Sequence, residues 1–214
     1  MKHIVFFIII ISLPNFGFSQ YVESEWEERD RWMPLEQIFK LAEIKEGTQV
    51  ADIGCHEGYF SIHLANVVGN EGKVYAVDVR ADRLDLLSEH LEARKLRNVS
   101  VILGDYDNPK LPKETLDVVV IMDAYHEMTD YMTILEHVKV ALKPGGRIII
   151  VEKQKQKVRD QSRTSQTDAH SMAPKYVRKE LLSAGFKKLV QKSKIGFWEK
   201  DKEKVIWLLM ATKE

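Results

Sequence analysis

The segment Gln49–Ala65, QVADIGCHEGYFSIHLA, constrains the fold more than any other part of the chain. Val50, Ala51 and Ile53 surround Asp52 in a short apolar run that reads as a buried strand. Tyr59, Phe60, Ile62, His63, Leu64, Val67 and Val68 then recur at helical spacing. Gly54 and Gly58 fall in the turn between, with His56 lying between them. A strand, a glycine turn and a helix bring backbone N–H groups and the positive end of a helix to one point. In a parallel sheet that point lies at the carboxyl end of a strand, where polar small molecules are held.

The rest of the chain repeats the alternation. Leu35, Ile38, Phe39, Leu41 and Ala42 mark an amphipathic helix that Glu46-Gly47 ends. Strands are expected at Lys73–Val77, Val99–Leu103, Asp117–Met122 and Arg147–Glu152, and helices at Ala81–Arg94 and Tyr131–Leu142. Lys153–Ala173 is polar and lacks period, which predicts a loop or flap. Pro174–Ala184 reads as a helix closed by Gly185. Phe186–Gln191 and Lys204–Ala211 read as two last strands with no helix between, hence an antiparallel hairpin. The expected fold is α/β: a doubly wound, Rossmann-like sheet, mostly parallel with an antiparallel C-terminal strand.

At the N-terminus, Lys2 and His3 precede an apolar run from Ile4 to Leu13, and Gly17-Phe18-Ser19 offers small residues before Gln20. That is the pattern of a signal peptide over residues 1–19. The run is too short for a bilayer, which takes about 20 residues, although an uncleaved anchor is the alternative. An acidic, Trp-bearing lead over 20–34 would follow, then one domain over 35–214, exported to the periplasm or medium without a stable membrane span. Cys55 is the single cysteine, which excludes an internal disulfide and a thiolate metal site.

Lys+Arg and Asp+Glu stand at 32 each, so no global field recruits nucleic acid. The basic stretch Lys153, Lys155, Lys157, Arg159, Arg163 has no interleaved aromatic residues and reads as a solvated loop. His56-Glu57 and His126-Glu127 are adjacent pairs without a His-x-x-x-His helix, so no metal site is expected.

Four acids end four strands: Asp52, Asp78, Asp105 and Asp123. Along one sheet edge they suit a ligand with hydroxyls, an exocyclic amine and an ammonium group, as in a nucleoside with an amino-acid tail. Asp78 fits a pair of ribose hydroxyls. Asp105, beside Tyr106, fits an adenine amine. Asp52 and Asp123 border the place for the α-amino group. The segments VADIGCHEGYFSIHLA (50–65), VYAVDV (74–79), LGD (103–105), DVVVIMDAYHEM (117–128) and LKPGGRIIIVE (142–152) resemble class I S-adenosylmethionine-dependent methyltransferases. The lead resembles bacterial methyltransferase-like proteins that carry a signal peptide.

The resemblance implies a seven-stranded sheet with an antiparallel last strand and S-adenosylmethionine as cofactor. It implies cofactor contacts at Asp52, Gly54, His56, Gly58, Asp78, Asp105 and Asp123, with methyl transfer to an acceptor that the residues do not specify. The family writes its turn Asp-x-Gly-x-Gly-x-Gly, and His56 replaces the middle glycine. His tolerates positive φ better than most residues, but its ring is expected to crowd the methionine part of the site. His126 is the candidate general base, with Tyr125 and Glu127 positioning the acceptor. His170, in the polar flap, reads first as a solvated loop residue and otherwise as lining the acceptor side. Two other readings compete. One is a binding protein of this fold without catalysis. The other is a nicotinamide-dependent oxidoreductase, whose Gly-x-Gly-x-x-Gly turn would put glycines at His56 and Tyr59.

Overall fold

The computed structural model describes residues 22–214; the expected signal peptide, 1–19, lies outside the described residues. A short helix α1 (Trp26–Asp30) and the amphipathic α2 (Leu35–Ala42) precede the sheet. Then β1 (Gln49–Ile53), α3 (Tyr59–Val68), β2 (Lys73–Asp78), α4 (Ala81–Ala93) and β3 (Val99–Leu103) alternate. β4 (Leu116–Met122), α5 (Tyr131–Ala141) and β5 (Leu142–Lys155) follow. The chain ends through α6 (Arg163–Asp168), α7 (Pro174–Ser183), β6 (Lys187–Phe197) and β7 (Lys204–Thr212).

The seven strands form one sheet in the order β3-β2-β1-β4-β5-β7-β6. β3, β2, β1, β4 and β5 pair in parallel, while β7 runs antiparallel to both β5 and β6. The central strands are buried on both faces, which explains their unbroken apolar runs. Val50, Val118, Val120 and Ile149 pack into one core, and Ala51, Val119, Ile121 and Ile148 into the other. Strand order reverses between β1 and β4, so their carboxyl ends open a crevice between the connections that leave on opposite faces.

Two segments differ from expectation. β5 runs past Glu152 to Lys155, and Lys153–Ala173 is a packed structure rather than a plain loop. α6 lies inside it, capped by Ser162 Oγ accepting the Ser165 N–H at 3.1 Å. Buried Gln166 donates to the carbonyls of Arg159 and Gln161, and the Met172 carbonyl accepts from Trp207 Nε1 at 2.7 Å. Individual hydrogen bonds order this stretch, so hydrophobic period could not reveal it. β6 extends past the expected Gln191 to Phe197 because it continues to pair with β7; its exposed lysines (Lys187, Lys188, Lys192, Lys194) mask the strand pattern in sequence, as is common on a sheet edge.

The lead joins the domain. Trp26 and Met33 enter the same core as Val50, and Trp32 packs on Trp198 with ring centroids 4.9 Å apart. Asp30 ties α1 to α3, accepting from Tyr59 Oη at 2.7 Å with His63 Nε2 at 3.0 Å.

Candidate functional site

A cavity of about 320 Å³ opens where the carboxyl ends of β1, β2 and β4 meet. That volume falls in the range of small-molecule sites, about 300–1,000 Å³. The lining includes Asp52, Gly54, His56, Asp78, Asp105 and Asp123, so the sheet edge gathers all four strand-end acids.

The glycine turn is shaped by backbone. Gly54 has φ +82°, and a Cβ there would run into the Ala124 side chain. Its N–H donates to the Val77 carbonyl at 2.8 Å, holding the turn against β2. Gly58 has φ +93°, and a Cβ would collide with Leu87 of α4. Gly58 thus serves helix packing and is not among the residues that line the cavity. His56 takes φ +51°, and its N–H donates to Asp78 Oδ2 at 2.9 Å. Its half-buried ring lies in the lining, and burial first of all holds the imidazole below its usual range.

The acids differ in character. Asp52 is buried and accepts from Ser61 Oγ at 2.6 Å. Burial pushes its carboxyl up to about 7, against the Ser61 hydrogen bond and the charge of Arg29. Asp78 accepts the N–H groups of His56 and Arg80, leaving further lone pairs for a ligand. Asp105 is exposed beside Tyr106, and Lys110 Nζ reaches it at 2.9 Å. Asp123, buried with φ +51°, pairs closely with Lys153 Nζ, which also lies 4.4 Å from the Trp198 ring centroid.

The loop after β4 splits the three catalytic candidates. Glu127 lines the cavity. His126 is buried behind it, and Glu127 Oε1 stands 3.8 Å from His126 Nε2. Tyr125 turns away into the core on the other face of the sheet, where its hydroxyl donates to Glu180 Oε2 at 2.8 Å. That geometry makes Tyr125 an anchor of the loop. His170 lies on the surface with its ring 5.7 Å from that of His126 and Nδ1 3.8 Å from Glu127 Oε1. The other adjacent His-Glu pair, His56-Glu57, does not join this group: Glu57 is buried against Arg83 Nη1 at 2.6 Å.

Two site residues were not foreseen. Arg29, from α1, is buried in the cavity wall with its guanidinium 4.1 Å from the Tyr59 ring centroid. Nothing in sequence marks it, because the lead reads as a charged surface segment. Glu152 is fully buried, and its Oε1 accepts the His126 N–H at 3.0 Å. The strand-end rule that found the four aspartates also applies to Glu152, at the end of the expected fifth strand. The arrangement presents two deep acids, an arginine, the half-buried Asp78 and the exposed Asp105, a set that suits one polar, partly cationic ligand.

Comparison with known proteins agrees with this geometry. Residues 44–206 match the family described as methyltransferase domain. The demethylmenaquinone methyltransferase of Geobacillus sp. (strain WCH70) is 32% identical over 117 residues, 55% of this chain and 50% of that protein. The chain thus spans about half the length of the curated relatives it matches. A SAM dependent methyltransferase from Aquifex aeolicus superposes with a TM-score of 0.73 at 25% identity, over 89% of this chain and 98% of that one. Phosphoethanolamine N-methyltransferase 2 from Haemonchus contortus, solved with S-adenosyl-L-methionine, shares the fold with a TM-score of 0.69 at 15% identity, over 92% of this chain and 58% of that one.

Proposed function

The chain belongs to the methyltransferase domain family, and from that premise we propose that it transfers a methyl group from S-adenosylmethionine to an acceptor held beside the Asp123–Met128 loop. The observation that carries this reading is the cavity, where one sheet edge joins Asp52, Asp78, Asp105 and Asp123 to a glycine turn and a buried arginine. These donors and acceptors fit the cofactor group by group. Asp78 takes the ribose hydroxyls, and Asp105 the adenine amine. Asp52 and Asp123 face the α-amino group. Arg29 supplies the cation that the carboxylate of the tail requires. Gly54 and His56 shape the backbone the cofactor approaches, while Gly58 lets α4 pack against the turn.

Bound S-adenosylmethionine supplies a methyl group already activated on a sulfonium. The protein's task is then mainly alignment. Glu127 stands at the acceptor side with His170, and His126 handles the acceptor proton. Tyr125 holds the loop that carries them. The proposal includes export after cleavage near Ser19, with N-terminal sequencing of periplasmic or secreted protein as its check. Among the described residues no helix is long and apolar enough to cross a membrane.

The decisive experiment incubates the mature chain with methyl-labelled cofactor and a panel of a 1,4-naphthoquinol, a catechol and a primary amine. The naphthoquinol enters because relatives are named demethylmenaquinone methyltransferases. Label in any acceptor supports the proposal. Tight cofactor binding without transfer to any acceptor would favour a non-catalytic binding protein, and preference for NAD a nicotinamide enzyme.

A further inference from the structure

We propose that Glu152 and His126 form a carboxylate–imidazole pair that acts as general base on a hydroxyl acceptor, Glu152 being the positioning residue that sets the ring's tautomer. This rests on the methyl-transfer reading and adds the acceptor's chemical class. Glu152 is fully buried on β5. Besides accepting the His126 N–H, both its oxygens lie 3.0 Å from His126 Nδ1. A carboxylate can only accept, so in the neutral ring Nδ1 carries the proton and Nε2 keeps its lone pair. The His126 side chain is 2% exposed, and its Nε2 has no hydrogen-bond partner among the described residues. A buried polar atom left in that state calls for an explanation, and a catalytic role is one of the recognised ones.

Nε2 points to the side where Glu127 and His170 stand, and Glu127 is in the cavity wall. The charged and titratable groups around the ring are Glu152 and Lys153 from β5, Asp123 and Glu127 from its own loop, and His170 from the segment after α6. Asp123 Oδ1 lies 4.0 Å from Nδ1, and the Lys153 ammonium sits against that same carboxylate. Glu152, with Asp123 behind it, therefore stabilises the imidazolium that forms when Nε2 takes a proton, against the Lys153 charge and without Glu152 having to give up its own.

The chemistry selects a hydroxyl. A thiol or carboxylate acceptor ionises with little help near neutral pH, and an uncharged amine attacks through an existing lone pair. A hydroxyl gains most from a base. Its O–H bond breaks as Nε2–H forms. The freed oxygen pair bonds to the methyl carbon, and the carbon–sulfur pair stays on sulfur. The proton then leaves His126 for solvent past Glu127 and His170.

The test is ¹⁵N NMR of histidine-labelled chain, with the His126 signals assigned by comparison with His126→Ala. The proposal expects the neutral ring to carry its proton on Nδ1 and to have Nε2 bare. Glu152→Gln, whose amide can donate to Nδ1, is expected to move the proton to Nε2. Glu152→Asp should retain the original tautomer, and it stands in if the Gln variant does not fold. On an acceptor from the panel, turnover should fall about 10²–10⁴-fold in Glu152→Gln with cofactor KM unchanged, and Glu152→Asp should recover part of it. A wild-type ring protonated on Nε2, or a tautomer indifferent to Glu152→Gln, would overturn the assignment. Stoichiometric Zn²⁺ displacing the Nε2 signal would overturn it too, making His126 a metal ligand with Glu127 and His170. The spectra decide Glu152's control of the tautomer without turnover, so absence of any methyl transfer beside an Nδ1-protonated ring would strike the methyl-transfer reading and the base role that rests on it, and leave the positioning by Glu152 standing.

Discussion

Asp52 shows how one residue's surroundings reach function. Burial raises its carboxyl to about 7, well above its ordinary 3.8. The folded chain therefore holds a proton there that the unfolded chain releases. Asp52's contribution to stability is full below about pH 4 and is lost as pH rises through 7. An ammonium group and a sulfonium placed beside Asp52 favour the anion instead. Cofactor affinity is expected to strengthen as pH rises from 6 to 8, with proton release visible by calorimetry in buffers of different ionisation enthalpy. Asp52→Asn should flatten both the stability slope and the proton release. Asp78→Ala is expected to weaken cofactor binding about ten- to hundredfold, since charge-assisted hydrogen bonds contribute roughly 1.5–3 kcal/mol. Asp78 also receives the His56 and Arg80 N–H groups, so a melting curve should separate lost binding from a loosened turn. His56→Gly is expected to bind the cofactor more tightly, because it removes a ring from the cavity wall; the left-handed strain it also relieves, about 1–2 kcal/mol, bears on stability rather than affinity. Weaker binding by this variant would make the imidazole a ligand contact. These acids and the turn were legible because strand ends and glycines follow local rules. Which way Tyr125 and His126 face was not, since it depends on Glu180 and Glu152, 55 and 26 residues away.

At the scale of elements, the strands and long helices were readable because burial imposes a period on them. α1 was not, since it is short and mostly charged. Its place is fixed by contacts distant in sequence: Asp30 with Tyr59 and His63, Glu28 with Lys200, Trp32 with Trp198. Those contacts carry Arg29 into the cavity wall, so the lead contributes to the proposed site. Arg29→Met keeps much of the side-chain volume and stacking on Tyr59 but removes the charge. It is expected to lower affinity for S-adenosylhomocysteine at least tenfold and to leave affinity for 5′-methylthioadenosine, which lacks the amino-acid tail, within about twofold. Equal losses for both ligands would assign Arg29 to packing alone. Trp26, buried beside His90 and Arg94, is the control: Trp26→Ala should lower stability by about 3–5 kcal/mol and weaken both ligands together.

For the whole molecule, the sheet order explains why one edge can carry all of the chemistry. β1 and β4 are neighbours although two strands intervene in the chain, and their carboxyl ends diverge where strand order reverses. Asp52, Asp78, Asp105 and Asp123 meet there because parallel strands all end on the same side. The antiparallel β7, inserted between β5 and β6, lengthens the sheet without adding another strand end to that edge. This topology was legible from the missing helix before the last strand, whereas the exact pairing needed the structure. A ligand in that crevice touches α1, three strand ends and the loop after β4 together, so its binding should stabilise the fold as a unit. At a hundred times its Kd, a ligand that binds only the folded chain adds about 2.7 kcal/mol. For a domain of this size that corresponds to roughly 5–11 °C in Tm. S-adenosylhomocysteine is expected to produce such a shift in a thermal scan, and NAD at equal concentration none. Asp78→Ala should need a correspondingly higher ligand concentration for the same shift. A larger shift with NAD would transfer the cavity to a nicotinamide cofactor, because the same edge of the same fold would then be selecting a different nucleotide.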